Sequence, residues 1–259
     1  MNSFEISIIV PAFLATALVL STHVPLGTEV LRRGIIFIDL AIAQVAGLGV
    51  IAAYSLGWEA HGWMVQVAAV SAALLAALIL HFTDKRWPEI QEAIIGVSFI
   101  LAATLGILLL AGNPHGGEHL KELLVGQVLW VTYEQLLPVA IINGLVLLVW
   151  FAFREHMKGF GFYAIFAVAV TASVQLVGVY LVFSCLIIPA LATRKMSRRM
   201  LRITCGWGIG AVASLAGLVV SLAADLPAGA VIVWSLSVFA LAFAWLWRPA
   251  RGGPAGETG

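Results

Sequence analysis

One acidic side chain stands inside an apolar run of this sequence: Asp39, in the segment IFIDLAIAQVAG. A carboxylate at membrane depth costs a few kcal/mol when it faces lipid, so Asp39 is expected to face protein, water or a cation. Carboxylate oxygens are also common ligands of divalent transition metals. Asp39 is therefore the first candidate for contact with a cation, and a purely structural hydrogen-bond acceptor is the alternative.

Histidines at the edges of the apolar runs offer further ligands. His23, in STHVPLG, is predicted at the end of the first helix, where it is either an interfacial residue or an imidazole ligand. In the segment HGGEH, His115 and His119 stand four residues apart, and Glu118 precedes the second histidine. That spacing lets two imidazoles share a metal if the segment is helical, but its two glycines oppose a regular helix. The segment is either a transient cation acceptor or a solvated loop.

The elements that would position these residues are membrane helices. The chain has 259 residues, of which 62% are hydrophobic and only 10% are charged. Because ordinary soluble domains are about a quarter charged, this composition excludes a soluble fold and predicts an all-α, polytopic membrane protein. The net charge of +1, with no basic run interleaved with aromatic residues, gives no case for a nucleic-acid partner.

A helix needs about 20 apolar residues to cross the hydrocarbon core of a bilayer. Segment 183–193 is too short to cross alone, so eight or nine transmembrane helices are predicted. The expected spans lie near 5–23, 35–57, 63–82, 92–111, 132–153, 161–182, 201–223 and 229–247. Residues 1–248 thus form a single transmembrane domain, and the Gly/Pro-rich tail 249–259 is predicted to be disordered. No cleavable signal is predicted, because the first apolar run lacks a basic segment before it.

Residues 171–194 carry features that a simple anchor helix does not need. Gly178 lets another backbone approach closely, and Pro189 leaves a carbonyl without its helical donor. We therefore predict a helix broken near Pro189, at Ile187 to Pro189.

Lysines and arginines in short loops indicate which loops are cytoplasmic. The clusters concerned are Arg32/Arg33, Lys85/Arg86, Arg154/Lys158, the run Arg194, Lys195, Arg198, Arg199 and Arg202, and Arg248/Arg251. The chain must then return to the cytoplasmic side between residues 158 and 194. A broken segment that crosses back meets this requirement, and one long helix with basic residues outside is the alternative.

Two other features of the sequence remain. Residues 113–132 form the longest polar interruption, in which Glu118 to Trp130 reads as a short amphipathic helix. It is expected either near an external mouth or flat in the membrane interface. Cys185 and Cys205 are isolated in or beside apolar segments, and we interpret both as packing residues.

Three blocks of the sequence resemble one family of membrane proteins. VQLVGVYLVFSCLIIPALATR (174–194) is similar to the family pattern VQ-VG-LLV-SLLIIPAATAR. LGTEVLRRGIIFIDLAIAQVAGLGV (26–50) is similar to LG-F-VLRR-xxxGDALSHAxLPGV, and DLPAGAVIV (225–233) is similar to the turn D-PSGPxIV. The blocks share the order and spacing found in the ZnuB-like permeases of zinc-, manganese- and iron-type ABC transporters.

The resemblance implies the membrane subunit of an ATP-driven importer of divalent transition-metal ions, with zinc expected and manganese or iron as alternatives. It implies a homodimer in the bacterial inner membrane, a cytoplasmic ATP-binding subunit and an external metal-binding protein. The chain contains no GxxxxGK[ST] loop, so it is predicted to be a transport subunit and not an enzyme. No permanently bound cofactor is expected. The alternative function is a secondary ion-coupled transporter that uses Asp39.

The chain departs from the family pattern in two places. The family motif GDALSHA supplies an Asp and a His one helical turn apart, whereas Asp39 is followed here by Ala43 at the His position, with Gln44 next to it. The predicted metal contacts are therefore Asp39, Gln44, His23, His115, Glu118 and His119. Family members also carry a long helical insertion after an RE dipeptide, but here Arg154-Glu155 leads almost directly into the next span. The ATPase is then expected to contact residues 154–161 and 194–202.

Overall fold

The computed structural model describes residues 3–58, 63–111, 113, 116–153, 157 and 159–247, and within these residues it contains helices and no strands. The helices are α1 (Ser3–Arg33), α2 (Ile38–Ser55), α3 (Trp63–Arg86), α4 (Gln91–Leu110), α5 (Gly116–Val125), α6 (Tyr133–Phe153), α7 (Phe160–Val177), α8 (Val179–Ala192), α9 (Arg199–Ala224) and α10 (Ala228–Leu246). Among the described residues, eight helices are long and apolar enough to cross a membrane, and α8 is a shorter apolar helix. The prediction of an all-α polytopic membrane protein is confirmed. The tail 249–259 lies outside the described residues.

Two helices form the centre of the bundle. In α1 and α7 more than half of the most apolar window is buried, 56% and 61%, compared with 17% in α10 and 22% in α4. The large side chains that fill this centre include Phe162, Tyr163 and Phe166, all on α7 and all fully buried. Many leucines and isoleucines of the outer helices, such as Ile100 and Leu241, are exposed instead, as expected of surfaces that face lipid.

Contacts between helix ends define two sides of the bundle. On the basic side, the Arg33 guanidinium at the end of α1 donates to the carbonyl oxygen of Met157 at 3.3 Å. His81, near the end of α3, packs against Gly159, which precedes α7. On the opposite side, the end of α5, the α7–α8 junction and the start of α10 meet. Helix α7 therefore runs from the basic side to the opposite side.

Helix α8 returns toward the basic side. It begins at the junction with α7, and its second half packs on the second half of α1, where Leu186 and Ala190 lie against Gly27. The basic run that contains Arg198 and Arg199 follows α8 directly. The chain thus crosses back within residues 171–194, as the distribution of Lys and Arg requires.

The break in this stretch is at Gly178, so the prediction of a break at Ile187 to Pro189 is wrong in position. Gly178 has φ 84°, in the left-handed region that favours glycine, and it separates α7 from α8. A side chain there would overlap the backbone of Gly126, whose own Cβ would overlap the carbonyl of Val177. Pro189 lies near the C-terminal end of α8, where one missing hydrogen bond does not end the helix.

The first helix is also longer than the predicted span 5–23. It continues through Pro25 to Arg33, and the Thr28 hydroxyl donates to the Pro25 carbonyl oxygen at 2.8 Å. His23 consequently lies inside α1 and is fully buried, so its predicted position at a helix end is wrong.

Labelling of introduced cysteines tests the two sides. Ser197 is exposed in the basic run after α8, and Gly117 is exposed on α5 with open space where a side chain would be added. We expect Gly117→Cys to react with a membrane-impermeant maleimide in intact cells, and Ser197→Cys to react only after the membrane is permeabilised. The unmodified chain, with Cys185 and Cys205, gives the background. Labelling of Ser197→Cys in intact cells would show that the basic side faces outward, opposite to the predicted orientation.

Candidate cation path

Asp39 lies in the first turn of α2 and is completely buried. Neither of its carboxylate oxygens has a hydrogen-bond partner among the described residues. Burying a charged group without a partner is costly, and such groups in proteins are normally paired or coordinate a metal. The arrangement leaves two oxygens available to water or to a cation.

A second carboxylate holds the start of α2 in place. The backbone N–H of Phe37 donates to Oε1 of Glu92, in the first turn of α4, at 3.1 Å. This bond satisfies one of the donors that a helix leaves unpaired at its N-terminus. Glu92 thus positions the turn that carries Asp39, a role that the sequence does not signal because the partners are 55 residues apart.

Helix α8 passes beside the same turn. The rings of Phe37 and Phe183 are stacked, with centroids 6.3 Å apart and planes at 7°. Further along α2, Val179 lines a small recess together with Ala43. Two residues beyond Phe183 along α8 lies Cys185, which is fully buried.

The small recess lies between α2, α4, α5 and α8. Asp39, Ala43 and Gly47 follow one another at four-residue intervals and so lie on one face of α2. Among the described residues that line the recess, Gln44 contributes the one polar side chain, and it is half-buried. Leu120 and Leu123 of α5 cover the recess. The amphipathic helix predicted in this region therefore packs on the bundle above the face that carries Asp39.

His23 has the hydrogen-bonding pattern of a potential ligand but sits in a different helix. Its Nδ1–H donates to the carbonyl oxygen of Val19 at 3.0 Å. Its Nε2 has no hydrogen-bond partner among the described residues, which leaves that nitrogen able to accept. Metal-binding histidines are commonly oriented by such a bond to a backbone carbonyl.

The remaining predicted ligands lie on or before α5. Glu118 is exposed in the first turn of that helix. The backbone of His119 belongs to α5, but its side chain, like the whole of His115, is outside the described residues. Within the described residues, no three His, Cys, Asp or Glu side chains are placed to hold one metal ion together. Among the described side chains, Asp39, His23 and Glu118 are therefore not brought together into one group.

Comparison with known proteins gives consistent matches over most of the chain. The ABC 3 transport family matches residues 5–162 and 156–246. The chain is 27% identical over 239 residues to the manganese transport system membrane protein MntC of Halalkalibacterium halodurans, covering 84% of this chain and 80% of that protein. It is 25% identical to the chelated iron transport system membrane protein YfeC of Yersinia pestis, covering 97% and 90%. The structure of PsaBC from Streptococcus pneumoniae in complex with Fab superposes with a TM-score of 0.74 at 21% identity, covering 90% of this chain and 89% of that chain.

The two matched regions meet at 156–162, in the connection between α6 and α7. This connection is short, since α6 ends at Phe153 and α7 begins at Phe160. The guanidinium of Arg33 lies 4.1 Å from the ring centroid of Phe162, close to the contact between Gly159 and His81. Gly159 and the start of α7 are thus held against the ends of α3 and α1.

Removal of the buried carboxylate should stabilise the protein. Asp39→Leu replaces an unpartnered charged group by an apolar one of similar size, and we expect the free energy of unfolding to rise by about 1–3 kcal/mol. Thermal unfolding of the purified protein, measured with a metal chelator present, checks this. Glu89→Leu, at an exposed position, is the matched control and should not be stabilised. A loss of stability in Asp39→Leu would indicate that Asp39 is a structural hydrogen-bonding residue.

Proposed function

The chain belongs to the ABC 3 transport family, and from that premise we propose that it is the permease subunit of an ATP-driven importer of divalent transition-metal ions. The observation that carries the proposal is Asp39, an unpartnered carboxylate buried inside a membrane bundle. The named relatives that transport manganese and chelated iron support a metal ion as the cargo. We propose the bacterial inner membrane as its location.

The chemistry of Asp39 suits a cargo that binds and leaves. The attraction between a carboxylate and a divalent cation is many times stronger in a medium of low dielectric constant than in water. The cation would also remove the cost of leaving the carboxylate unpaired. With no group of three or more His, Cys, Asp or Glu ligands around it among the described residues, the ion would keep part of its water shell and be released readily. The Gln44 side chain, in the recess further along α2, can supply an oxygen to an ion that passes there.

Zinc is the ion that we propose first, with manganese and iron as alternatives. Zinc accepts carboxylate, imidazole and water ligands and is usually four-coordinate, so water can complete a site that has few protein ligands. The family's histidine is replaced by Ala43, which would lower affinity for zinc unless another nitrogen or sulfur ligand takes its place.

The partners that we propose are a second copy of the chain, a cytoplasmic ATPase and an external metal-binding protein. The sequence has no phosphate-binding GxxxxGK[ST] loop of its own, which supports a separate ATPase. The basic run at residues 194–202 follows α8 and includes the exposed Arg194 and Arg198. Together with the short α6–α7 connection, this run is the surface that we propose for ATPase docking.

Neutralising the charge of Asp39 should reduce transport. Asp39→Asn keeps the shape of the side chain and one oxygen but removes its charge, so the affinity for the ion is expected to fall about tenfold for each 1.4 kcal/mol lost. ATP-dependent metal uptake should fall severely at normal expression. Asp225→Asn, an exposed carboxylate in the turn before α10, is the control and should transport normally. Uptake at the wild-type level by Asp39→Asn would show that Asp39 does not contact the transported ion.

Reversing charge in the basic run should uncouple the ATPase. In the double variant Arg198→Glu, Arg199→Glu, we expect weaker association with the ATPase and less ATP-dependent uptake, since the surface charge is inverted. Membrane insertion and metal binding to the chain should be retained. Lys121→Glu, an exposed reversal on α5, controls for a charge reversal at a different surface. Unchanged coupling in the double variant would exclude this run as the docking surface.

A further inference from the structure

Arg33, the last residue of α1, contacts three different parts of the bundle. Its Nε donates to Oε1 of Glu29, one helical turn earlier, at 2.9 Å. Its Nη2 donates to the carbonyl oxygen of Met157, in the connection between α6 and α7, at 3.3 Å. Its guanidinium carbon lies 4.1 Å from the ring centroid of Phe162, in the first turn of α7. The side chain therefore joins the end of α1 to the α6–α7 connection and to the start of α7.

The ion pair that holds Arg33 is largely shielded from water. The side chains of Glu29 and Arg33 are 6% and 21% exposed, whereas that of Arg32, which also bonds Glu29, is 70% exposed. Water and salt screen a buried pair much less than an exposed one. Arg33 is thus fixed in direction by a buried carboxylate, while its neighbour Arg32 reaches solvent.

The end of α1 leads directly to the turn that carries Asp39. Only residues 34–37 separate α1 from α2. The first of them, Gly34, has φ 73° and donates its N–H back to α1 at 3.1 Å, and the backbone N–H of Phe37 is bonded to α4. Because this link is short and bonded at both ends, a displacement of Arg33 is expected to shift the first turn of α2.

The α6–α7 connection is packed closely against the helices that it touches. Gly159 has φ 99°, and a side chain there would come within 3.2 Å of the His81 ring on α3. The same ring packs against Phe160 and Tyr163, with centroids 5.9 and 5.5 Å apart. A movement of the connection must therefore be taken up by α3, through His81, or by α1, through Arg33. Of these two helices, α1 is the one that continues into the turn of Asp39.

We propose that Arg33 is a positioning residue that transmits movement of the α6–α7 connection to the turn that carries Asp39. This inference rests on the proposed function, in which that connection is part of the surface for ATPase docking. Coupling between distant sites is carried by packed side chains and hydrogen-bonded networks, and Arg33 supplies such a chain of contacts here. Arg33 itself contacts neither nucleotide nor transported ion in this role. The alternative role is structural, with Arg33 only stabilising the basic side of the bundle.

The number of metal ions taken up per ATP hydrolysed separates these roles. It would be measured with Zn²⁺ and with Mn²⁺ in proteoliposomes that contain the full chain and its partner ATPase. Arg33→Lys keeps the positive charge beside Glu29 but loses the planar guanidinium, which bonds a carbonyl while it lies over a ring. We expect the ratio to fall about tenfold, a size typical of coupling between sites. Arg32→Lys is the matched control, because Arg32 bonds the same carboxylate and shows no bond to the connection among the described residues, and its ratio should not change.

Two further measurements make each outcome decisive. The Arg33→Lys chain should keep the wild-type unfolding temperature and co-purify with the ATPase as the wild-type chain does. If it does not assemble, Phe162→Leu, which removes the ring and leaves the pair of Arg33 with Glu29 intact, decides by the same ratio and should also lower it.

An unchanged ratio would overturn the inference while leaving the proposed function intact. Uptake and hydrolysis that fall together with a lower unfolding temperature would assign Arg33 to stability, and weaker co-purification at an unchanged ratio would assign it to docking. Either result would also overturn the inference. A wild-type complex that takes up neither ion when ATP is supplied would instead reject the proposed function.

Discussion

The close approach of three glycines determines how this bundle is arranged. Gly126 follows α5, Gly178 separates α7 from α8, and Gly229 lies in the first turn of α10. A side chain at any of these positions would meet the backbone of a neighbouring segment. Irregular backbone at membrane depth is tolerated only where protein or water covers it, and here the end of α5 covers the turn at Gly178. This packing lets α8 return toward the basic side, and it brings α8 beside the first turn of α2.

The position of Asp39 is a consequence of that arrangement. Glu92 holds the start of α2, α8 passes beside it, and α5 covers the recess further along the same helix face. The resulting environment excludes solvent from a carboxylate that has no partner among the described residues. Such a residue lowers the stability of the fold, and proteins commonly keep destabilising groups of this kind where function requires them. A cation in transit would supply the positive charge that Asp39 lacks as a partner. This would explain why a permease keeps a residue that lowers its stability.

The sequence predicted the features that depend on local composition, and it missed those that depend on distant contacts. The number of spans follows from length and hydropathy, and Asp39 stood out because it is acidic within an apolar run. The break was assigned to Pro189 because proline is the stronger local signal. The break at Gly178 depends on Gly126, which is distant in sequence. Likewise, the continuation of α1 through Pro25 to Arg33 and the bond from Phe37 to Glu92 have no signature in the chain order.

Metal uptake into membrane vesicles tests the central claim most directly. Vesicles that contain this chain and its partner ATPase would be supplied with Zn²⁺ or Mn²⁺, with and without ATP, and with the proton gradient either intact or collapsed by an ionophore. An ATP-driven permease predicts metal accumulation only when the ATPase and ATP are both present, and accumulation that survives collapse of the gradient. Uptake that needs no ATPase and stops when the gradient collapses would contradict the account and identify a secondary ion-coupled transporter.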